Sequence, residues 1–99
     1  MAKFQISKKA WEDIAGIWNY TVEMWSEAQA DRYYNILLDA CEAIAENTVH
    51  GKHYEEIGKN LFGLSIEKHI IFYRIISNDE IEIVRILHKQ MDLKNRIKE

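Results

Sequence analysis

The sequence predicts an α+β fold in the order β-α-α-β-β-β, with an N-terminal helical hairpin packed on one face of an antiparallel sheet. Three observations predict it. Two stripes of apolar residues recur at helical spacing between Ser7 and Glu46. The period changes to two after Asn60. The links between the last three apolar runs, Glu67-Lys68 and Asn78-Asp79, are too short for anything but antiparallel neighbours.

In KFQIS (3–7), Phe4 and Ile6 alternate with polar residues, a short strand. Ser7 is placed to cap a helix. Ala10, Trp11, Ile14, Ile17, Trp18, Thr21 and Trp25 form its stripe, with Lys8, Glu12, Asn19 and Glu23 on the opposite side and an end near Met24-Trp25. Trp11, Trp18 and Trp25 are spaced by seven, which reads as core packing rather than base-stacking platforms. Ser26 followed by Gln29 has capping-box spacing, with Glu27 favourable at the positive helix end. The second stripe is Ala30, Tyr33, Tyr34, Leu37, Cys41, Ile44 and Ala45. Asn47 to Gly51 ends this helix, and the short link before it makes the pair an antiparallel hairpin.

GKHYEEIGKN (51–60) reads as a loop with a short extended piece. Leu61 to Ile66, His69 to Ser77 and Ile81 to His88 read as strands of a meander. MDLKNRIKE (91–99) predicts a final turn or helix, frayed. The whole, residues 1–99, is read as one domain.

With Asn78-Asp79 as a two-residue loop, 77 faces 80, 74 faces 83 and 69 faces 88. One face then carries Ile70, Phe72, Arg74, Ile76, Ile81, Ile83, Arg85 and Leu87. The other carries His69, Ile71, Tyr73, Ile75, Glu82, Val84, Ile86 and His88. Both faces are mostly apolar, and a helical hairpin covers only one, so a partner is expected on the other. Phe72, Arg74, Arg85, Leu87, His88 and Met91 are the candidate partner-binding residues.

Arg74 and Arg85 share a face in this register. They either reach a partner's carboxylates or pair with Glu55, Glu56 or Asp92. His69 and His88 are cross-strand neighbours. Two imidazoles near arginines supply the acid, base and cation of RNA cleavage; the plainer alternative is a pair of strand-end rings. His50 and His53 lack a carboxylate or thiol at metal-site spacing, so no metal or other cofactor is expected. Cys41 is most simply a small core residue.

Composition narrows the class. Charged residues are 29% and the net charge is −3, against a general nucleic-acid coat. Residues 1–49 carry four Lys/Arg against eight Asp/Glu, whereas residues 50–99 carry nine against eight and all four histidines. No apolar run approaches a membrane span, MAKFQISKKAW has no signal core, and one cysteine suits a reducing cytoplasm.

Several segments, taken in order, resemble the ParE toxins of the RelE/ParE toxin–antitoxin superfamily. They are Ala10, Asp13-Ile14, Ile17-Trp18 and Tyr20-Thr21, then WSEAQADRYY (25–34), AIAEN (43–47), Gly51-Lys52, HIIFYR (69–74) and RILHKQMD (85–92). The resemblance implies a plasmid- or chromosome-borne, non-catalytic toxin that poisons DNA gyrase. It implies neutralisation by a ParD-like antitoxin whose extended acidic segment folds on binding, giving a toxin–antitoxin hetero-oligomer without sequence-specific nucleic-acid binding. There are departures: Thr48 stands where many relatives have proline, and GKNLFGLS (58–65) lacks a common arginine. The alternative within the superfamily is a RelE-like, ribosome-dependent mRNA endonuclease using His69, Tyr73, Arg74, Arg85 and His88. Its relatives carry cations on the second strand and near the C-terminus, but LFGLSIE has none before Lys68, and Asp92 stands where a basic residue would help. Gyrase poisoning therefore ranks first, mRNA cleavage second and a non-toxic binding module third.

Overall fold

The computed structural model describes residues 3–47 and 49–98; Thr48, at the expected proline position, lies outside them. The chain runs β1 (Lys3–Ile6), α1 (Lys8–Met24), α2 (Glu27–Ala45), β2 (Lys52–His53), β3 (Phe62–Ile66), β4 (His69–Ser77), β5 (Glu80–His88) and α3 (Leu93–Lys98). The sheet order is β1-β5-β4-β3-β2. β3, β4 and β5 form the expected antiparallel meander. β1 pairs parallel to β5, Phe4 against Ile81, so the sheet is mixed. The reason is topological: two helices intervene between β1 and the meander, and such a crossover returns the chain parallel. β2 is the extended piece foreseen in the 51–60 loop, and α3 is the foreseen terminal helix.

Both serine caps form. The Ser7 and Ser26 hydroxyls accept from the N–H groups of Ala10 and Gln29, each at 3.0 Å. Ser7 also donates to the Val84 carbonyl at 2.8 Å, which fixes the start of α1 to the edge of β5. α1 ends where expected, with the Trp25 N–H on the Thr21 carbonyl.

The hairpin register differs from the simple two-residue-loop alignment. His69 faces His88 and Ser77 faces Glu80, as that alignment requires, but Tyr73 faces Ile83 and Arg74 faces Glu82. Register shifts between Phe72 and Tyr73 and between Ile75 and Ser77 leave Val84 and Ile76 as extra residues on opposite strands. Each bulge reverses which side the following residues face, and the second restores the register lost at the first. Ile81 and Ile83 thereby join Ile71, Tyr73 and Ile86 under the helices, with Ala10, Ile14, Leu37, Cys41 and Ile44. Val84 moves to the other face, beside Phe72 and Leu87.

That other face is not left bare, contrary to the expectation from helix count. Tyr54, Ile57 and Leu61 from the 54–61 loop, and Leu93 and Ile97 from α3, pack over Ile70, Phe72 and Leu87. The loop closes on itself through Tyr54 N–H to the Leu61 carbonyl at 2.8 Å. Gly63 permits the approach, since a Cβ there would lie 2.8 Å from the Tyr54 ring. A polar-looking loop thus brings Tyr54 and Ile57 inward beside Leu61, which period counting does not register.

The tryptophan stripe also divides. Ala10 and Ile14 are buried, whereas Trp11 is 46% and Trp25 75% exposed. Trp18 is half-buried, its Nε1–H donating to Asp31 on α2 at 3.0 Å. Positions seven apart drift only about 20° around a helix, so the three indoles share one line. That line flanks the buried one. Cys41 is fully buried and burial pushes its thiol up to about 12, the inert small core residue expected.

Candidate partner-docking groove

Arg85 lies near the middle of β5, yet its charge is answered from within the chain. β1 ends at Ile6, so the edge of β5 beyond Val84 has no strand beside it. Asp13, on the inner side of α1, fills that place. Its carboxylate accepts the Ile86 N–H at 2.9 Å, Arg85 Nε at 2.8 Å and Arg85 Nη2 at 2.9 Å. Arg85 Nη1 donates to the Arg96 carbonyl at 2.6 Å. One guanidinium therefore joins α1, β5 and α3, and its partner is Asp13 rather than Glu55, Glu56 or Asp92. Arg74 lies apart, half-buried, its Nε donating to the Lys59 carbonyl at 3.2 Å. The bulge at Val84 places it opposite Glu82, so the two arginines do not form one clamp.

His69 and His88 do meet, as register partners with ring centroids 5.3 Å apart and nearly perpendicular. Tyr33 Oη lies 2.7 Å from His69 Nδ1 and donates to the Ile66 carbonyl at 3.3 Å. The phenol has one proton for these two acceptors, so the donor in the shorter contact is set by the imidazole tautomer. Burial, then His88, holds the His69 imidazole down at about 4, with Asp13 opposing and Lys68 adding to the effect; it is neutral at pH 7. Burial, then Glu67, pushes the Tyr33 phenol up to about 12. His88 Nδ1 accepts the Gln90 N–H at 3.1 Å, which places the proton on its Nε2.

The remaining members of the nuclease constellation are elsewhere. Tyr73 is buried with its Oη accepting the Gly51 N–H at 2.8 Å. Arg85 is held by Asp13, and Arg74 stands at the 59 carbonyl. The two arginines of that constellation are thus engaged away from the histidine pair. His53 pairs with Glu55 at 3.0 Å on the surface and stacks on Phe62. No cluster of three or more metal-ligating side chains occurs among the described residues.

The histidine pair lines one side of an open groove of about 740 Å³. α1 supplies one wall with Gly16, Ile17, Tyr20 and Thr21, Trp25 stands at its end, and α2 supplies Tyr33. Opposite are the Glu67-Lys68 turn, His69, Ile86, His88 and Met91. Tyr20 is 62% exposed, Trp25 75% and Met91 42%. Three of the eight exposed large apolar side chains among the described residues border this one concavity, which makes it a candidate interaction surface.

Of the residues singled out from sequence as partner contacts, His88 and Met91 line this groove, and so does His69 of the nuclease alternative. Phe72 and Leu87 are buried beneath the 54–61 loop and α3, and Arg85 is almost so. Sequence reasoning missed Tyr20, Trp25, Tyr33 and Glu67. One signal was available: Gly16 interrupts α1, and a mid-helix glycine costs roughly 0.5–1 kcal/mol relative to alanine, so it asks for a reason.

Residues 4–93 match the family model described as the ParE toxin of the type II toxin–antitoxin system, parDE. The chain belongs to the ParE toxin family. ParE1 toxins of Mycobacterium tuberculosis (H37Rv) and Caulobacter vibrioides are each 30% identical to it; the matches cover 97% and 95% of this chain and 98% and 96% of theirs. A ParE toxin of Escherichia coli is 29% identical, over 98% of this chain and 94% of that one. The chromosomal ParDE system from P. aeruginosa contains a chain superposing with TM-score 0.74 at 20% identity, covering 89% of this chain and 96% of that one. This ParE family member therefore shares both sequence and fold along nearly its whole length. No described helix is long and apolar enough to cross a membrane.

Proposed function

We propose that this ParE family toxin poisons DNA gyrase without catalysis of its own, and that a ParD-like antitoxin neutralises it in the cytoplasm by docking in the α1–β5 groove. The observation that carries this reading is the family match over residues 4–93, a span that includes every element building the groove. The exposed Tyr20, Trp25 and Met91 give an antitoxin segment an apolar seat, with His88 beside it. Phe72 and Leu87 serve that seat from below by holding β4 and β5 in place, and Arg85 by fixing α3. Arg74 is left to meet an acidic residue of the antitoxin outside the groove.

The test is a supercoiling reaction with purified gyrase, relaxed plasmid and ATP. Toxin should lower supercoiling and cause cleaved DNA to accumulate, and antitoxin should reverse both. Undiminished supercoiling at large molar excess, by toxin that still binds its antitoxin, would remove gyrase as the target. Intact messenger RNA in a translating extract should accompany the expected result.

A further inference from the structure

Two residues of the groove go against their local backbone preference, and neither is required by packing. Gly16 lies mid-way along α1, where glycine is disfavoured. A Cβ built on it meets nothing within 4 Å, so no neighbouring element needs the space. Its φ is not positive, so the backbone does not need glycine either. Glu67 occupies the β3–β4 turn at φ 51°, a left-handed conformation that suits glycine or asparagine. Its carboxylate makes no hydrogen bond or ion pair among the described residues, and its one marked influence is the rise it adds to the Tyr33 phenol. Both residues line the groove. Locally unfavourable residues with no structural return are the expected mark of a binding surface.

The charges around the groove indicate what it accepts. Asp13 and Arg85 neutralise each other at 2.8 Å, and His69 is uncharged at neutral pH. The charged groups left on the lining are Glu12 and Glu67 against Lys68. An acidic segment has no cation waiting for it here beyond Lys68, which adjoins Glu67 in the chain.

We propose that the groove takes an apolar segment of the antitoxin that carries a lysine or arginine: its apolar side chains close on the α1 backbone at Gly16, between Tyr20, Trp25 and Met91, and its cation sits on Glu67. This rests on the docking reading above and specifies its chemistry. Gly16 is the point of close approach, because any side chain there projects into the occupant's volume. Glu67 is the specificity-determining residue, because its carboxylate has no hydrogen bond or ion pair among the described residues and a cation on the antitoxin would supply one. The acidic part of the antitoxin, where it has one, lies outside this groove.

The probe is the full-length antitoxin from the reading frame adjoining the toxin's own, titrated into full-length toxin variants whose thermal midpoints are measured in parallel. Glu67→Gln should weaken binding at least fivefold with an unchanged midpoint. Glu67→Asn should do the same while raising the midpoint by about 2–6 °C, since asparagine tolerates the left-handed turn. Gly16→Leu should weaken binding at least tenfold without lowering the midpoint. Replacing the antitoxin's contacting cation by Glu should be rescued by Glu67→Lys.

Binding within twofold of wild type in all of the Glu67 and Gly16 variants would overturn the proposal. If Tyr20→Ala and Trp25→Ala still weaken binding in that case, the docking site stands and only its chemistry is wrong. If they too are silent, the docking reading fails with it. Variants that spare antitoxin affinity but abolish gyrase inhibition would put gyrase in the groove instead. A concentration-dependent dimer of toxin, lost in Gly16→Leu, would put a second copy there. Either result overturns the proposal.

Discussion

The Asp13–Arg85 clasp and the groove beside it share residues of α1 and β5 but are opposite in design. In the clasp both Asp13 carboxylate oxygens and the Arg85 Nε, Nη1 and Nη2 donors have partners within the chain, and the two side chains are only 14% and 10% exposed. The groove displays exposed aromatics, a glycine with open space above it and a left-handed glutamate without a hydrogen bond among the described residues. A buried charge draws the eye as a functional candidate, yet a satisfied charge has nothing left to offer a ligand. The surface suited to binding is the one whose local costs are not recovered inside the fold.

The comparison is open to breakage from either side. The largest effect should come from the clasp. Arg85→Ala leaves a carboxylate buried without its cation and should destabilise the fold by roughly 3–5 kcal/mol in urea unfolding. A loss below about 1 kcal/mol would make the clasp ornamental and return Arg85 to the list of partner contacts. Next are two aromatic truncations. Phe72→Ala, in the closed face, should cost about 3–5 kcal/mol of stability. Trp25→Ala, on the groove rim, should stay within about 0.5 kcal/mol of wild type while weakening antitoxin binding by tenfold or more. Similar stability losses in the two variants would erase the distinction between closed face and open groove.

The most gradual effect is that of pH. The His69 pKa is lower in the folded chain, at about 4, than its ordinary 6.5, so the unfolded chain binds more protons between those values. Its contribution is fully present above 6.5 and is lost as pH falls through about 4. Stability should therefore decline over that interval, and His69→Gln should flatten the decline. An unchanged pH profile in the variant would assign the acid sensitivity to carboxylates alone.

Much of this was legible without coordinates. The serine caps, the hairpin of helices, the three-stranded meander and the buried Cys41 follow from spacing, because each depends on residues near one another in sequence. The His69–His88 pairing was legible for the same reason, the turn being short. The bulge at Val84 was not, and it moved Ile81 and Ile83 to the helical side. Nor was the second lid, since Tyr54 and Ile57 come from a stretch whose glycines and charges read as solvent-facing. Expecting a vacancy on the sheet, sequence reasoning placed the partner over Phe72 and Leu87; the concavity lies instead where α1 stands away from the end of β5.

Local chemistry along the chain thus determined which elements form, in what order, and that the chain carries ParE-type segments from α1 to β5. Those are consequences of periodicity, capping and short loops, which act over a few residues. Only the tertiary structure decided which carboxylate answers Arg85, which sheet face is closed and where the aromatics of α1 remain uncovered. Those outcomes depend on contacts such as Asp13 with Arg85, 72 positions apart, and no local preference encodes which of several distant partners will arrive.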